Sequence, residues 1–169
     1  MDIEVAITTA LQFENRVVKV YEDAARNTRD PAGKRMFETL VREEQGHVKY
    51  LEHKLEEWKK TGRVTPEKLA TLVPPKARIE EGVKNLQKQV ATAAPEKELA
   101  LLRRALEVEV AAGDFYRGVV RELPAEAQPL FQRFVEIEQG HLAIVQAEID
   151  SVSGLGFWFD MREFDLETG

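Results

Sequence analysis

One short phrase occurs twice in this chain. REEQGH ends at His47 and EIEQGH ends at His141, a shift of 94 residues. The same shift carries Phe37 onto Phe131 and Val41 onto Val135, and a shift of 95 carries ALQFE (10–14) onto ALEVE (105–109) and Tyr21 onto Tyr116. A chain that repeats itself at about half its length is built from two like units. Each unit here carries a Glu on one segment and Glu-x-x-His on the next. Glu14 and Glu44 are 30 residues apart, and Glu109 and Glu138 are 29 apart. That interval suits a helix hairpin.

The segments between the breaks are rich in Ala, Leu, Glu, Lys, Arg and Gln, which favour helix. Gly and Pro are scarce, at 10 and 7 in 169 residues, and they cluster. Four long helices are expected, over about 2–28, 31–60, 95–122 and 125–152, with little or no sheet. Asp30-Pro31 separates the first pair and Thr61-Gly62 closes the second helix. The apolar stripes are Ile3, Ile7, Leu11, Val18, Tyr21 and Ala25, then Phe37, Leu40, Val41, Val48, Leu51, Leu55 and Trp58. The third helix offers Leu99, Leu102, Leu106, Tyr116 and Val120, and the fourth offers Phe131, Phe134, Leu142, Val145 and Ile149.

Short turns make each hairpin antiparallel. More than thirty residues join the hairpins, enough to run back along helices roughly 45 Å long. Within that connection Thr65-Pro66 suggests a short helix, Pro74-Pro75 a break, and Ile79, Val83, Leu86 and Val90 a further helix. Residues 1–152 are thus expected to form one bundle. The tail, 153–169, holds Phe157, Trp158, Phe159 and Phe164, and its expected role is to pack on the bundle or on a sister subunit.

The two Glu-x-x-His pairs and the two single glutamates fall within the apolar stripes. Glu14 lies between Leu11 and Val18, Glu109 between Leu106 and Gly113, and the pairs Glu44/His47 and Glu138/His141 among Leu40, Val41, Leu51, Phe134 and Val145. One Glu-x-x-His alone is common on a solvated helix face. Six positions in phase, in two halves, are not. Four carboxylates buried together repel one another unless cations compensate. Two divalent metals balance the charge, and one imidazole for each completes the set. Oxygen-rich sites with one nitrogen suit iron or manganese. Glutamates from two helices with Glu-x-x-His from the other two are the di-iron pattern of helix bundles. His53 falls off this face and is expected at the surface.

Composition removes several alternatives. There is no cysteine, hence no disulfide, thiolate nucleophile or four-thiolate iron site within this chain. A net charge of −6 argues against binding nucleic acid. No apolar run reaches the roughly 18 residues of a membrane span. The acidic start, MDIEVAITTALQFENR, does not read as a signal peptide. A cytoplasmic protein without membrane partners is the expectation.

At these residues the sequence resembles the ferritin-like superfamily and, within it, the rubrerythrins. The likeness runs over 2–152 and rests on Glu14, Glu44-x-x-His47, Glu109, Glu138-x-x-His141, the REEQGH and EIEQGH phrases and the paired tyrosines. It implies an all-α, ferritin-like four-helix bundle with a long crossover between its hairpins and two iron ions per chain. Glu44 and Glu138 would bridge the irons, Glu14 and Glu109 would be terminal ligands, and His47 and His141 would bind one iron each. Tyr21 and Tyr116 would stand beside the ligands. The implied activity is reduction of hydrogen peroxide or dioxygen with electrons from an external donor such as a rubredoxin, by a homodimer or higher homo-oligomer.

Two departures are visible. Rubrerythrins usually carry a four-cysteine rubredoxin domain, and this chain has no cysteine. Many also have a further carboxylate one turn beyond the terminal Glu of the third helix, where this chain has Ala111 and Ala112; Glu107 lies about 200° round the helix from Glu109. A ferroxidase, a di-iron monooxygenase, and a bundle with structural metal and a partner-binding tail stand as alternatives.

Overall fold

A computed structural model describes residues 1–65, 67–86, 96–155 and Trp158, with backbone alone at 82–86 and 155. Five α-helices follow one another: α1 (Ile3–Asn27), α2 (Pro31–Thr61), α3 (Lys76–Leu86), α4 (Glu96–Glu122) and α5 (Gln128–Leu155). No strand occurs among the described residues. Caps set the ends of the first hairpin. The Asp2 carboxylate accepts from the Glu4 N–H at 2.9 Å, and Asp30 accepts from Ala32 at 2.8 Å and Gly33 at 3.3 Å, with Pro31 in the first turn. Gly62 takes the left-handed conformation, φ 66°, that closes α2. The last helix starts at Gln128 rather than near 125, because Pro124–Ala127 form a turn closed by a 2.9 Å bond from the Ala127 N–H to the Pro124 carbonyl.

α1 packs against α2 and α4, and α5 packs against α4 and α3. Tyr21 meets Glu109 and Glu14 meets Tyr116, so α1 and α4 are antiparallel. α2 and α5 are likewise antiparallel, with Tyr50 beside Phe134 and His47 beside His141. The inward stripes are shifted slightly from expectation. On α1 the fully buried neighbours are Ala6, Ile7, Ala10 and Val17, while Leu11 and Val18 are half-buried. On α2, Val41, Val48, Leu55 and Trp58 are also half-buried. α5 is buried over most of its circumference, including Val135, Ile137, Ile144 and Ala147, because α3 and the crossover cover a second face.

No helix forms over 67–71; that stretch is irregular. Its backbone groups find side-chain partners instead of one another. Tyr50 donates to the Glu67 carbonyl at 3.1 Å, Arg133 donates to the Leu69 carbonyl at 3.0 Å, and the Leu72 N–H donates to Glu43 at 2.8 Å. The chain then crosses Gly140 so closely that a Cβ there would lie 3.4 Å from the Pro74 carbonyl. The further helix expected around Ile79 is α3, although the side chains of Val83 and Leu86, and all of Val90, lie outside the described residues.

Of the aromatic tail, only Trp158 is described; Phe157, Phe159 and Phe164 lie outside the described residues. Trp158 is buried, edge-on to Phe37 with ring centroids 5.6 Å apart, and its ring lies over Gly33. A Cβ on Gly33 would come within 2.5 Å of the indole. Gly33→Ala therefore expels Trp158 or strains α2, at a cost of about 1–3 kcal/mol. In a Trp58→Phe background, the fluorescence of Trp158 should move to longer wavelength with this substitution. Unchanged emission and melting temperature would contradict the contact.

Candidate metal centre

The four long helices each deliver the expected side chains to the middle of the bundle. Glu14 comes from α1, Glu44 and His47 from α2, Glu109 from α4, and Glu138 and His141 from α5; none is more than 1% exposed. They form two overlapping groups. Donor atoms of Glu14, Glu44, His47 and Glu138 all lie within 4.8 Å of one another, as do those of Glu44, Glu109, Glu138 and His141. Glu44 and Glu138 belong to both groups. His53 is exposed, as expected from its phase on α2.

Both histidines turn Nδ1 towards the carboxylates. His47 Nδ1 is 2.9 Å from Glu44 and 3.3 Å from Glu14. His141 Nδ1 is 2.7 Å from Glu44 Oε1 and 3.8 Å from Glu109. The two rings stack with centroids 5.5 Å apart. The tyrosines cross between the hairpins: Tyr21 on α1 donates to Glu109 on α4, and Tyr116 on α4 donates to Glu14 on α1. Phe134 stacks on Tyr116 at 4.8 Å and stands edge-on to His47 at 5.4 Å.

Electrostatics in the metal-free cluster follow from burial and crowding. Burial, then the Glu44 charge, pushes the Glu14 carboxyl up to about 8. Burial and three neighbouring glutamates push Glu138 well above the ordinary range, and burial raises Glu109 despite the opposing His141. Glu44 moves the other way: burial opposes ionisation, but the two histidines outweigh it. Burial disfavours the His47 cation, yet Glu44 and Glu14 hold its pKa at about 10; burial likewise opposes the His141 cation, but Glu44, Glu109 and Glu43 raise it. Protons thus supply the neutralising charge when no cation does.

The donor set fits divalent cations. His141 Nδ1 and Glu44 Oε1 approach to 2.7 Å without hydrogen-bond alignment, and Glu109 Oε2 and Glu138 Oε1 have no hydrogen-bond partner. Buried oxygen and nitrogen atoms that converge unpaired suit a metal better than a protein hydrogen bond. Six or more donors, mostly carboxylate oxygen with one imidazole in each group, match iron or manganese.

One residue of the centre escaped the sequence analysis. Glu43 is 6% exposed and forms a third donor group with His47 and His141, all within 4.8 Å, its Oε1 lying 3.7 Å from His141 Nε2. Burial raises its pKa, but His141, the Thr71 hydroxyl and the Leu72 N–H together lower it. Its signal was the mismatch between the two phrases, since Ile137 stands at the equivalent place in EIEQGH. Of the carboxylates near the missing third-helix ligand, Glu107 is exposed, and Ala112 is fully buried in its stead.

A bundle of paired helix hairpins, closed around buried carboxylates and histidines able to hold metal, defines the class of this protein. The rubrerythrin family model matches residues 5–149, and the chain belongs to that family. Comparison with curated proteins and with solved structures gives no match. Among the described residues, no helix is long and apolar enough to cross a membrane.

The pKa directions predict how the metal-free protein responds to pH. A group whose pKa rises on folding stabilises the fold below its unfolded pKa and loses that contribution as pH climbs through the folded value. For Glu14 this window runs from 4.5 to about 8, and for His47 from 6.5 to about 10. The lowered Glu44 acts only below its ordinary value of 4.5. Metal-free protein should therefore melt at progressively lower temperature from about pH 5 to about pH 10, whereas bound cations replace the protons and flatten the curve. Parallel melting curves for both forms across that range would contradict this electrostatic balance.

Proposed function

We propose that this chain is a di-iron oxidoreductase that reduces hydrogen peroxide with electrons from an external donor. The observation that carries the proposal is the overlap of the two donor groups at Glu44 and Glu138. In this assignment those two carboxylates would hold both irons, one oxygen toward each group. Glu14 and His47 complete one iron site, and Glu109 and His141 complete the other.

When bound, the iron pair supplies the two electrons that turn hydrogen peroxide and two protons into two molecules of water. The chain's own groups do the rest. Tyr21 and Tyr116 donate to one oxygen each of Glu109 and Glu14, which orients these carboxylates and leaves the second oxygen for the metal side. The same hydroxyls are the nearest neutral proton carriers to the terminal ligands. Phe37, Phe131, Phe134, Leu40 and Leu51, all fully buried, exclude bulk water from the cluster. There is no cysteine among these 169 residues to hold a rubredoxin-type iron, so the proposed donor lies outside them.

A ferroxidase is the second possibility, favoured by one observation. The further third-helix carboxylate of many rubrerythrins has no counterpart one turn beyond Glu109, where Ala112 is buried, and Glu107 faces solvent. Reoxidation kinetics distinguish the two. The peroxidase assignment predicts that diferrous protein reoxidises at least about tenfold faster with hydrogen peroxide than with dioxygen at air level, a barrier difference of roughly 1.4 kcal/mol. Faster reaction with dioxygen, with ferric iron accumulating beyond two per chain, would favour the ferroxidase.

The bridging assignment has its own test. Glu44→Ala or Glu138→Ala should abolish the magnetic coupling of the diferric pair, and His53→Ala should leave iron content and spectra unchanged. Mössbauer spectra of the three variants check this. A coupled pair surviving in Glu44→Ala would remove that residue from the bridge.

A further inference from the structure

The repeat that maps Glu44 onto Glu138 and His47 onto His141 maps Glu43 onto Ile137. Both positions are buried, so the two halves of the centre differ in chemistry just behind the histidines. An imidazole that turns Nδ1 to a metal carries its proton on Nε2, and a buried N–H seeks an acceptor. His141 Nε2 has a carboxylate within ion-pair reach, Glu43 Oε1 at 3.7 Å. Neither histidine's Nε2 makes a hydrogen bond, and donor atoms of Glu43, His47 and His141 lie within 4.8 Å of one another, but the ion pair Glu43 makes is with His141, while Phe134 stands edge-on to the His47 ring.

Glu43 is itself held in place. The Thr71 hydroxyl donates to it, and the Leu72 N–H donates at 2.8 Å and 3.0 Å to its two oxygens. These partners belong to the crossover between α2 and α3. A chain with two similar hairpins has only one such crossover, and it lies against Gly140 of α5, while Gly46 of α2 has open space before it. The inequality of the histidines thus follows from the connectivity of the fold.

We propose that Glu43 is a positioning residue for His141, and that it makes the two metal-binding halves unequal. The half built on His141 and Glu109 holds its ion more tightly, and the half built on His47 and Glu14 holds the exchangeable one. This rests on the di-iron assignment above. A carboxylate behind a metal-bound imidazole fixes its tautomer and raises its basicity, and loss of such a partner typically costs ten- to a hundredfold in metal affinity.

Cobalt(II) titration of the metal-free full chain, followed by visible absorption, tests this without reference to activity. Wild type should take up two cobalt ions in steps separated by at least about tenfold in affinity. Glu43→Gln still accepts from Leu72 and Thr71 through its remaining oxygen but offers no anion to His141. It should weaken the tighter step about ten- to a hundredfold and leave the weaker step within about twofold. In a His47→Ala background Glu43→Gln should lower the remaining affinity, and in a His141→Ala background it should not. If either single-histidine background fails to fold, the two-step titration of the full chain decides alone. Uptake of two ions in one indistinguishable step, or equal weakening of both steps by Glu43→Gln, overturns the inequality and spares the di-iron assignment. Uptake of fewer than two ions by wild type overturns that assignment and this inference with it.

Discussion

Four glutamates and two histidines sealed inside a helix bundle must be neutralised from within, and the structure is organised around that demand. Removing a single charge from water costs several kcal/mol even after relaxation. Here the groups are at most 1% exposed, and the carboxylates lie within 4.8 Å of neighbours of like charge. Protons provide one answer: the raised pKa values of Glu14 and Glu138 and the raised pKa values of both histidines describe a cluster that borrows hydrogen ions to stay near neutrality. Divalent cations provide the other. The same geometry serves both, so proton and metal compete for one set of atoms.

Around this centre the bundle is close to symmetric where symmetry costs nothing and departs from it where the chain must connect. Tyr21 and Tyr116 reach across to the opposite hairpin in matching fashion, tying α1 to α4 through the carboxylates themselves. The crossover has no symmetric counterpart. Its backbone is satisfied by Tyr50, Arg133 and Glu43, and it covers one face of α5. That single covering explains why α5 is buried on a second face and why His141 has a carboxylate within ion-pair reach.

The helices and the convergence of six side chains were legible in the sequence because both depend on local periodicity. A glutamate in phase with isoleucines and leucines must face where they face. The repeat supplied the pairing of the two halves. What lay beyond reach depended on contacts distant along the chain. Val17 rather than Val18 is fully buried on the face that carries Glu14. The stretch 67–71 is irregular, and Tyr50 of α2 and Arg133 of α5 donate hydrogen bonds to its carbonyls. Glu43 stands outside the repeated ligand pattern, and its partners Thr71 and Leu72 come from the crossover, distant along the chain.

The exchange of protons for metal is the central claim, and it is measured most directly by loading metal-free protein with ferrous iron at pH 7 under anaerobic, weakly buffered conditions while counting both ions. The account predicts two irons bound per chain and the release of at least about two protons, drawn from those held by Glu14, Glu138, His47 and His141. Binding of two irons without proton release, or proton release with fewer than two irons bound, would contradict it.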